Sequence, residues 1–144
     1  MDFIPKIQNK LQIKNYHHNN YYPPWGEGGF VYIFKNRKTK CVKVGMTGNP
    51  IADRLKAINK YNPDLEYLNG DKRLPLYVWT YVQAYQTKNY GEVEKLAHKY
   101  LNDSLDKNAP IGEVFKCSTK RAIDAVEDAL IDLGLYDYAI KYVK

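Results

Sequence analysis

The chain has 144 residues, 44% of them hydrophobic and 26% charged, the length and balance of one soluble globular domain and not of a disordered or fibrous chain. No apolar run approaches the roughly 18 residues of a membrane span, the stretch MDFIPKIQNK lacks the apolar core of a secretory signal, and Cys41 and Cys117 offer neither a disulfide framework nor zinc-ligand spacing, so a reducing intracellular setting, cytoplasmic or nuclear, is the expectation. The net charge of +6 is uneven: residues 1–90 carry 14 Lys and Arg against 6 Asp and Glu, and residues 91–144 carry 8 against 10.

Residues 1–28 read as an N-terminal extension to a single domain over residues 29–144. His17-His18-Asn19-Asn20-Tyr21-Tyr22-Pro23-Pro24-Trp25 and the Gly-rich stretch ending at Gly29 hold Pro and Gly at a density that breaks helix and strand alike. On an extended chain His17 and His18 point opposite ways, so they read as surface residues. Phe30–Phe34 is a strand by composition and Cys41–Gly45 a second. Their six-residue link favours an antiparallel hairpin. Alternation then sets Val31 and Ile33 on one face beside Val42 and Val44, and Tyr32 with Lys43 on the other. A lysine between valines is anomalous, and an exposed sheet face is its ordinary explanation. Lys35, Arg37, Lys38, Lys40 and Lys43, with no acid among them, form the densest basic block. The block suits a phosphate backbone, whose condensed counterions it would release, or is simply solvated.

A turn over Gly45–Asn49 leads into a helix, with Asn49 as its N-cap and Pro50 in its first position. Ile51, Leu55 and Ile58 mark the buried stripe and Arg54 its edge. The helix ends near Asn59 to Asn62, before Pro63. Residues 61–74 read as loop and Leu76–Tyr85 as a third strand, with Pro75 at its start and Trp79 in the core. A helix from Tyr90 buries Val93, Leu96, Ala97, Tyr100 and Leu101, and carries Glu94 and His98 as i, i+4 neighbours on one margin. After a loop through Pro110 come a short strand, Glu113–Cys117, and a helix from Thr119. Ser118 is its N-cap, Gly134 its C-cap, and Ile123, Val126, Leu130 and Leu133 its stripe. Leu135–Lys144 is amphipathic and reads as a short helix or a strand. The expected fold is mixed α/β (α+β): a small, mainly antiparallel three-stranded sheet flanked by helices.

Tyr32, Lys43, Arg54, Glu94 and His98 thus gather at the margins of the core. Their order and context resemble the GIY-YIG nuclease family, in particular its viral and fungal subgroup, in which Lys replaces the Tyr of the second motif. Phe30-Val31-Tyr32-Ile33 corresponds to the first motif and Val42-Lys43-Val44-Gly45-Met46-Thr47 to the second. Arg54-Leu55 fits the helix arginine, Glu94-Lys95-Leu96-Ala97-His98 the Glu-x-x-x-His of the subgroup, and Gly112-Glu113-Val114-Phe115 the closing strand. The resemblance covers residues 29–133. Phe30 stands where the first motif has Gly, with Gly29 just before it. Ile58 stands where a histidine often follows the arginine by one turn.

The resemblance implies hydrolysis of a DNA phosphodiester with Mg²⁺ or Mn²⁺ as cofactor. Glu94 would be the metal ligand, since Mg²⁺ prefers oxygen ligands and often takes one carboxylate plus waters. Arg54 would clamp phosphate oxygens. Tyr32 would act as general base or position the water, and His98 would donate a proton to the leaving group or contact a phosphate. A phenol is a poor base at neutral pH. Lys43 on the same face is expected to favour its phenolate and so to set the pH optimum of cleavage. Lys35, Arg37, Lys38 and Lys40 would bind DNA. No membrane partner is expected, and targeting would fall to the N-terminal extension, a homodimer or a partner. A catalytically inactive DNA-binding module of the same fold is the alternative, and a protein-interaction domain with a merely solubilising basic block is a third reading.

Overall fold

The computed structural model describes residues 11–16, 28–60, 78–107 and 113–144. The expected loop at 61–74, the paired histidines, Trp25 and Pro75 lie outside them. Among the described residues six strands form one sheet. They are β1 (Gln12–Asn15), β2 (Gly29–Asn36), β3 (Val42–Thr47), β4 (Trp79–Thr87), β5 (Val114–Phe115) and β6 (Ile140–Val143), in the order β1-β6-β4-β2-β3-β5. Helices α1 (Ile51–Lys60), α2 (Tyr90–Tyr100) and α3 (Thr119–Asp132) flank it, and none is long and apolar enough to cross a membrane. The class is the expected α+β, with every pairing antiparallel except β1 with β6. The expected three strands are the centre of a wider sheet. Of the additional strands, the expected one at Glu113–Cys117 is shortened to Val114–Phe115, the tail contributes β6, and β1, with four residues, is too short for alternation to declare it.

The central strand β2 reads GFVYIFKN and is buried throughout except at Lys35. Such an unbroken apolar run belongs to a strand covered on both faces. Its alternate residues enter two cores. Val31 and Ile33, with Val42 and Val44, pack against Val93, Ala97 and Leu101 of the α2 segment and Ala122, Val126 and Leu130 of α3. Phe30, Tyr32 and Phe34 pack on the opposite face with Trp79, Tyr81 and the α1 residues Ile51 and Ile58. The register agrees with the expected facing: Ile33 opposes Val44, and Tyr32 opposes Gly45. An irregularity opposite Ile33 and Phe34 shifts the register of β4 by one residue, so Tyr81 and Ala84 share the α1 face although three residues apart.

The last helix is bounded as its sequence requires. Ser118 accepts the Arg121 amide at 3.1 Å. Past Leu133, Gly134 adopts φ +72°, and the amides of Gly134 and Leu135 close on the carbonyls of Ile131 and Leu130, a Schellman ending in which glycine bears the left-handed turn without a Cβ penalty. Two stripe residues turn outward instead. Tyr100 is exposed, its hydroxyl donating to Asp132, and Leu133 is exposed at the helix end. The tail forms a 3₁₀ turn, Tyr136–Tyr138, and then β6.

A buried side chain near the end of helix α1 ties it to the backbone of the sheet. Buried Asn59 donates through Nδ2 to the Trp79 carbonyl and accepts the Trp79 amide through Oδ1, both at 2.9 Å. Asn59→Ala strands two backbone groups away from water, so a loss of about 2–4 kcal/mol is expected. Urea unfolding checks it through a lower midpoint at unchanged slope.

Candidate active site

The site lies at the β3 edge of the sheet, where β5 covers only two residues of its neighbour. Tyr32 is fully buried and stacks on Phe34 at 4.3 Å between ring centroids. Its ring runs over Gly45: a Cβ there would fall 2.3 Å from the hydroxyl and 2.5 Å from Cζ. The backbone opposite must therefore be glycine for the phenol to lie flat. Arg54, on the exposed margin of α1, donates through Nε to the Tyr32 hydroxyl at 3.2 Å. Burial pushes the pKa of this phenol up. The Arg54 hydrogen bond and the charges of Lys43 and Arg54 pull the other way without prevailing. Lys43 thus acts in the expected direction, but burial outweighs it, and Tyr32 is a neutral phenol near neutrality.

Lys43 departs from the open sheet face that is the ordinary explanation for it. It shares the Tyr32 face, but that face is covered, and the residue is 1% exposed. Its ammonium pairs with Glu113 Oε1 at 3.1 Å. Glu113, immediately before β5, is a site residue that sequence reasoning misses, yet its charge acts on Tyr32, Arg54 and Glu94 alike. A glutamate opening a two-residue strand carries no local signal, and only tertiary packing makes it the junction of the cluster.

Glu94 and His98 come from α2, which packs on the opposite face of the sheet, and they join the others around the edge of β3. Glu94 is 9% exposed, and its Oε2 is buried with no hydrogen-bond partner. Burial, then the charge of Glu113 and a hydrogen bond with it, push the Glu94 carboxyl up to about 7 against the counteracting charge of Lys43. His98 Nε2 lies 2.7 Å from the Val44 carbonyl. A carbonyl only accepts, so this nitrogen carries the proton and Nδ1 is left basic in the neutral ring. The ring lies 5.2 Å from that of Phe115, and Nε2 is 4.0 Å from Glu94 Oε2.

The fold therefore brings Tyr32, Lys43, Arg54, Glu94 and His98 into one connected strip, with Glu113 at its middle. Ile58, one turn after Arg54, belongs to the core at 3% exposure. The basic block divides. Lys43 is in the strip, whereas Arg37, Lys38 and Lys40 are on the β2–β3 turn, Arg37 and Lys38 outward and Lys40 exposed beside them, with Lys35 half-buried at its start. Arg37 lies five positions after Tyr32, about 17 Å along a strand. Among the described residues no group of three or more His, Cys, Asp or Glu side chains is placed to hold a metal. Both cysteines are free, Cys41 buried and Cys117 half-buried.

A profile of the T5orf172 domain, found in phage and fungal nuclease-like proteins, matches residues 29–130. No curated protein and no solved structure matches the chain.

Proposed function

The chain belongs to the T5orf172 domain family, and on that premise we propose that it is a divalent-metal-dependent DNA endonuclease of the GIY-YIG type. The observation that carries this reading is the strip itself: a phenol, a guanidinium, an ammonium, two carboxyls and an imidazole, brought together from β2, β3, the leading end of β5 and two helices, converge on one sheet edge.

Glu94 would hold Mg²⁺ or Mn²⁺. Its buried, unpartnered Oε2 fits a hard cation that seeks oxygen and keeps several waters, for which a cage of three protein ligands is not required. When bound, such an ion supplies positive charge to a pentavalent phosphate and its leaving oxygen. The Nε of Arg54 orients Tyr32, and its Nη donors clamp phosphate oxygens. The Tyr32 hydroxyl accepts from Arg54 and, although the residue is fully buried in the free chain, would donate its own proton to a water or phosphate oxygen brought in with the DNA. That is the positioning role, not the role of a base. His98 Nδ1, the unprotonated nitrogen of this tautomer, would take the proton of the attacking water.

The turn residues Arg37, Lys38 and Lys40, with Lys35, would track the DNA backbone beside the site. Neutralising Arg37, Lys38 and Lys40 together is expected to weaken binding for all sequences and to reduce the slope of log K against log salt by up to about 3, roughly one for each phosphate left without its cation. Fluorescence anisotropy at several salt concentrations measures it.

A second reading is favoured by the engagement of Lys43 with Glu113 and by the core position of Ile58: a DNA-binding module without catalysis. Supercoiled plasmid and single-stranded DNA incubated with Mg²⁺ or Mn²⁺ separate the two. Cleavage by the wild type that disappears in Tyr32→Phe and in Glu94→Ala supports the nuclease. Salt-sensitive, metal-independent binding without cleavage supports the module.

A further inference from the structure

We propose that Glu113 is a second carboxylate ligand of the divalent cation, which is gripped between α2 and the leading end of β5. The inference rests on the nuclease reading of Glu94 and adds a residue to it. The Glu113 side chain is 26% exposed, reachable by an ion from solvent, whereas its partner Lys43 is 2% exposed. Glu113 reaches Glu94 from the leading end of β5: its charge and its side chain both act on the Glu94 carboxyl. The two acidic groups disfavour each other's charge, and at Glu94 the Lys43 ammonium, 3.1 Å from Glu113, does not prevail over burial and Glu113.

Glu94 Oε2 is an independent sign. It is buried without a hydrogen-bond partner, on a residue that is 9% exposed, and an oxygen in that state is costly to leave uncompensated. A hard divalent cation bound through one or two carboxylates and waters supplies what it lacks. His98 does not complete the set through Nε2, because that nitrogen is held by the Val44 carbonyl. The ligands assigned are therefore Glu94 and Glu113, with waters.

Mn²⁺ titration of the full chain, followed by the electron paramagnetic resonance signal of the free aquo ion, tests the assignment without reference to cleavage. The wild type should bind Mn²⁺. Glu113→Gln and Glu94→Gln should each weaken binding about tenfold or more, at least the loss typical of removing an outer-shell partner, and Glu113→Asp should keep most of it. Glu113→Gln also leaves Lys43 without this counter-charge, so the double variant Lys43→Met/Glu113→Gln guards against misfolding and decides the cause. It should remain well below wild type. Recovery of wild-type affinity in the double variant would show that Glu113 merely neutralises Lys43 and would overturn the inference, leaving Glu94 as ligand. Undiminished binding in Glu113→Gln would do the same. A wild type that binds no Mn²⁺, or a Glu94→Gln variant that binds it normally, would overturn the metal-site reading and this inference with it.

Discussion

Glu94→Gln is expected to abolish DNA cleavage, by about 10³-fold or more, and at the same time to stabilise the metal-free protein at pH 8. The first effect follows because the amide cannot hold the cation that offsets phosphate charge in the transition state, a contribution of several kcal/mol. The second follows from linkage. Glu94 is held near 7 in the fold against an ordinary 4.5, so between those values the folded chain binds a proton that the unfolded chain has released. Stability then falls as pH rises from about 4.5 to about 7 and is level above. Glutamine is nearly isosteric and carries no charge to desolvate. The variant should therefore exceed wild type at pH 8 by about 1–3 kcal/mol, and match it near pH 4.5. Thermal melts in a chelator at both pH values measure the difference. Equal stability at pH 8 would mean that the carboxyl is not held in a costly setting, and the case for a cation there would lose its energetic basis.

Arg54→Lys carries the second large expectation: a fall in kcat of about 10²–10³-fold, with a smaller effect on DNA affinity. A lysine keeps the charge but has one nitrogen, whereas the guanidinium donates from Nε to Tyr32 at 3.2 Å and has further donors for phosphate. The substitution should also release the phenol from the guanidinium that orients it. Single-turnover rates at saturating DNA separate this loss from binding. A lysine variant that cleaved at the wild-type rate would reduce Arg54 to a surface charge.

The central hairpin is legible in the sequence because alternation in Phe30–Phe34 and Val42–Val44 leaves one consistent pairing, and the register has Ile33 opposite Val44. The helices are legible from stripes such as Ile51 and Ile58, and from the Ser118 and Gly134 ends. What periodicity does not show is coverage. The face bearing Tyr32 and Lys43 reads as an open sheet surface because strand alternation does not show that α1 folds back over it, beside Trp79 and Tyr81 of β4. The pKa consequence is hidden for the same reason. Burial, with a smaller push from the charge of Glu113, makes Tyr32 a poorer acid than a phenol in water, despite two cations nearby. Glu113 reads as part of a closing strand and not as a functional group, since its importance arises wholly from meeting Lys43 and Glu94 in space. Asn59, which docks α1 through Trp79, reads as an ordinary helix-end residue.

The central claim is spatial and chemical at once, and a crystal grown with a DNA oligonucleotide and Mn²⁺, with data collected at the manganese absorption edge, addresses both. The account predicts an anomalous peak about 2.0–2.3 Å from a carboxylate oxygen of Glu94 and a DNA phosphate in contact with Arg54 and the Tyr32 hydroxyl. DNA lying elsewhere on the surface, or manganese bound away from Glu94, would contradict it.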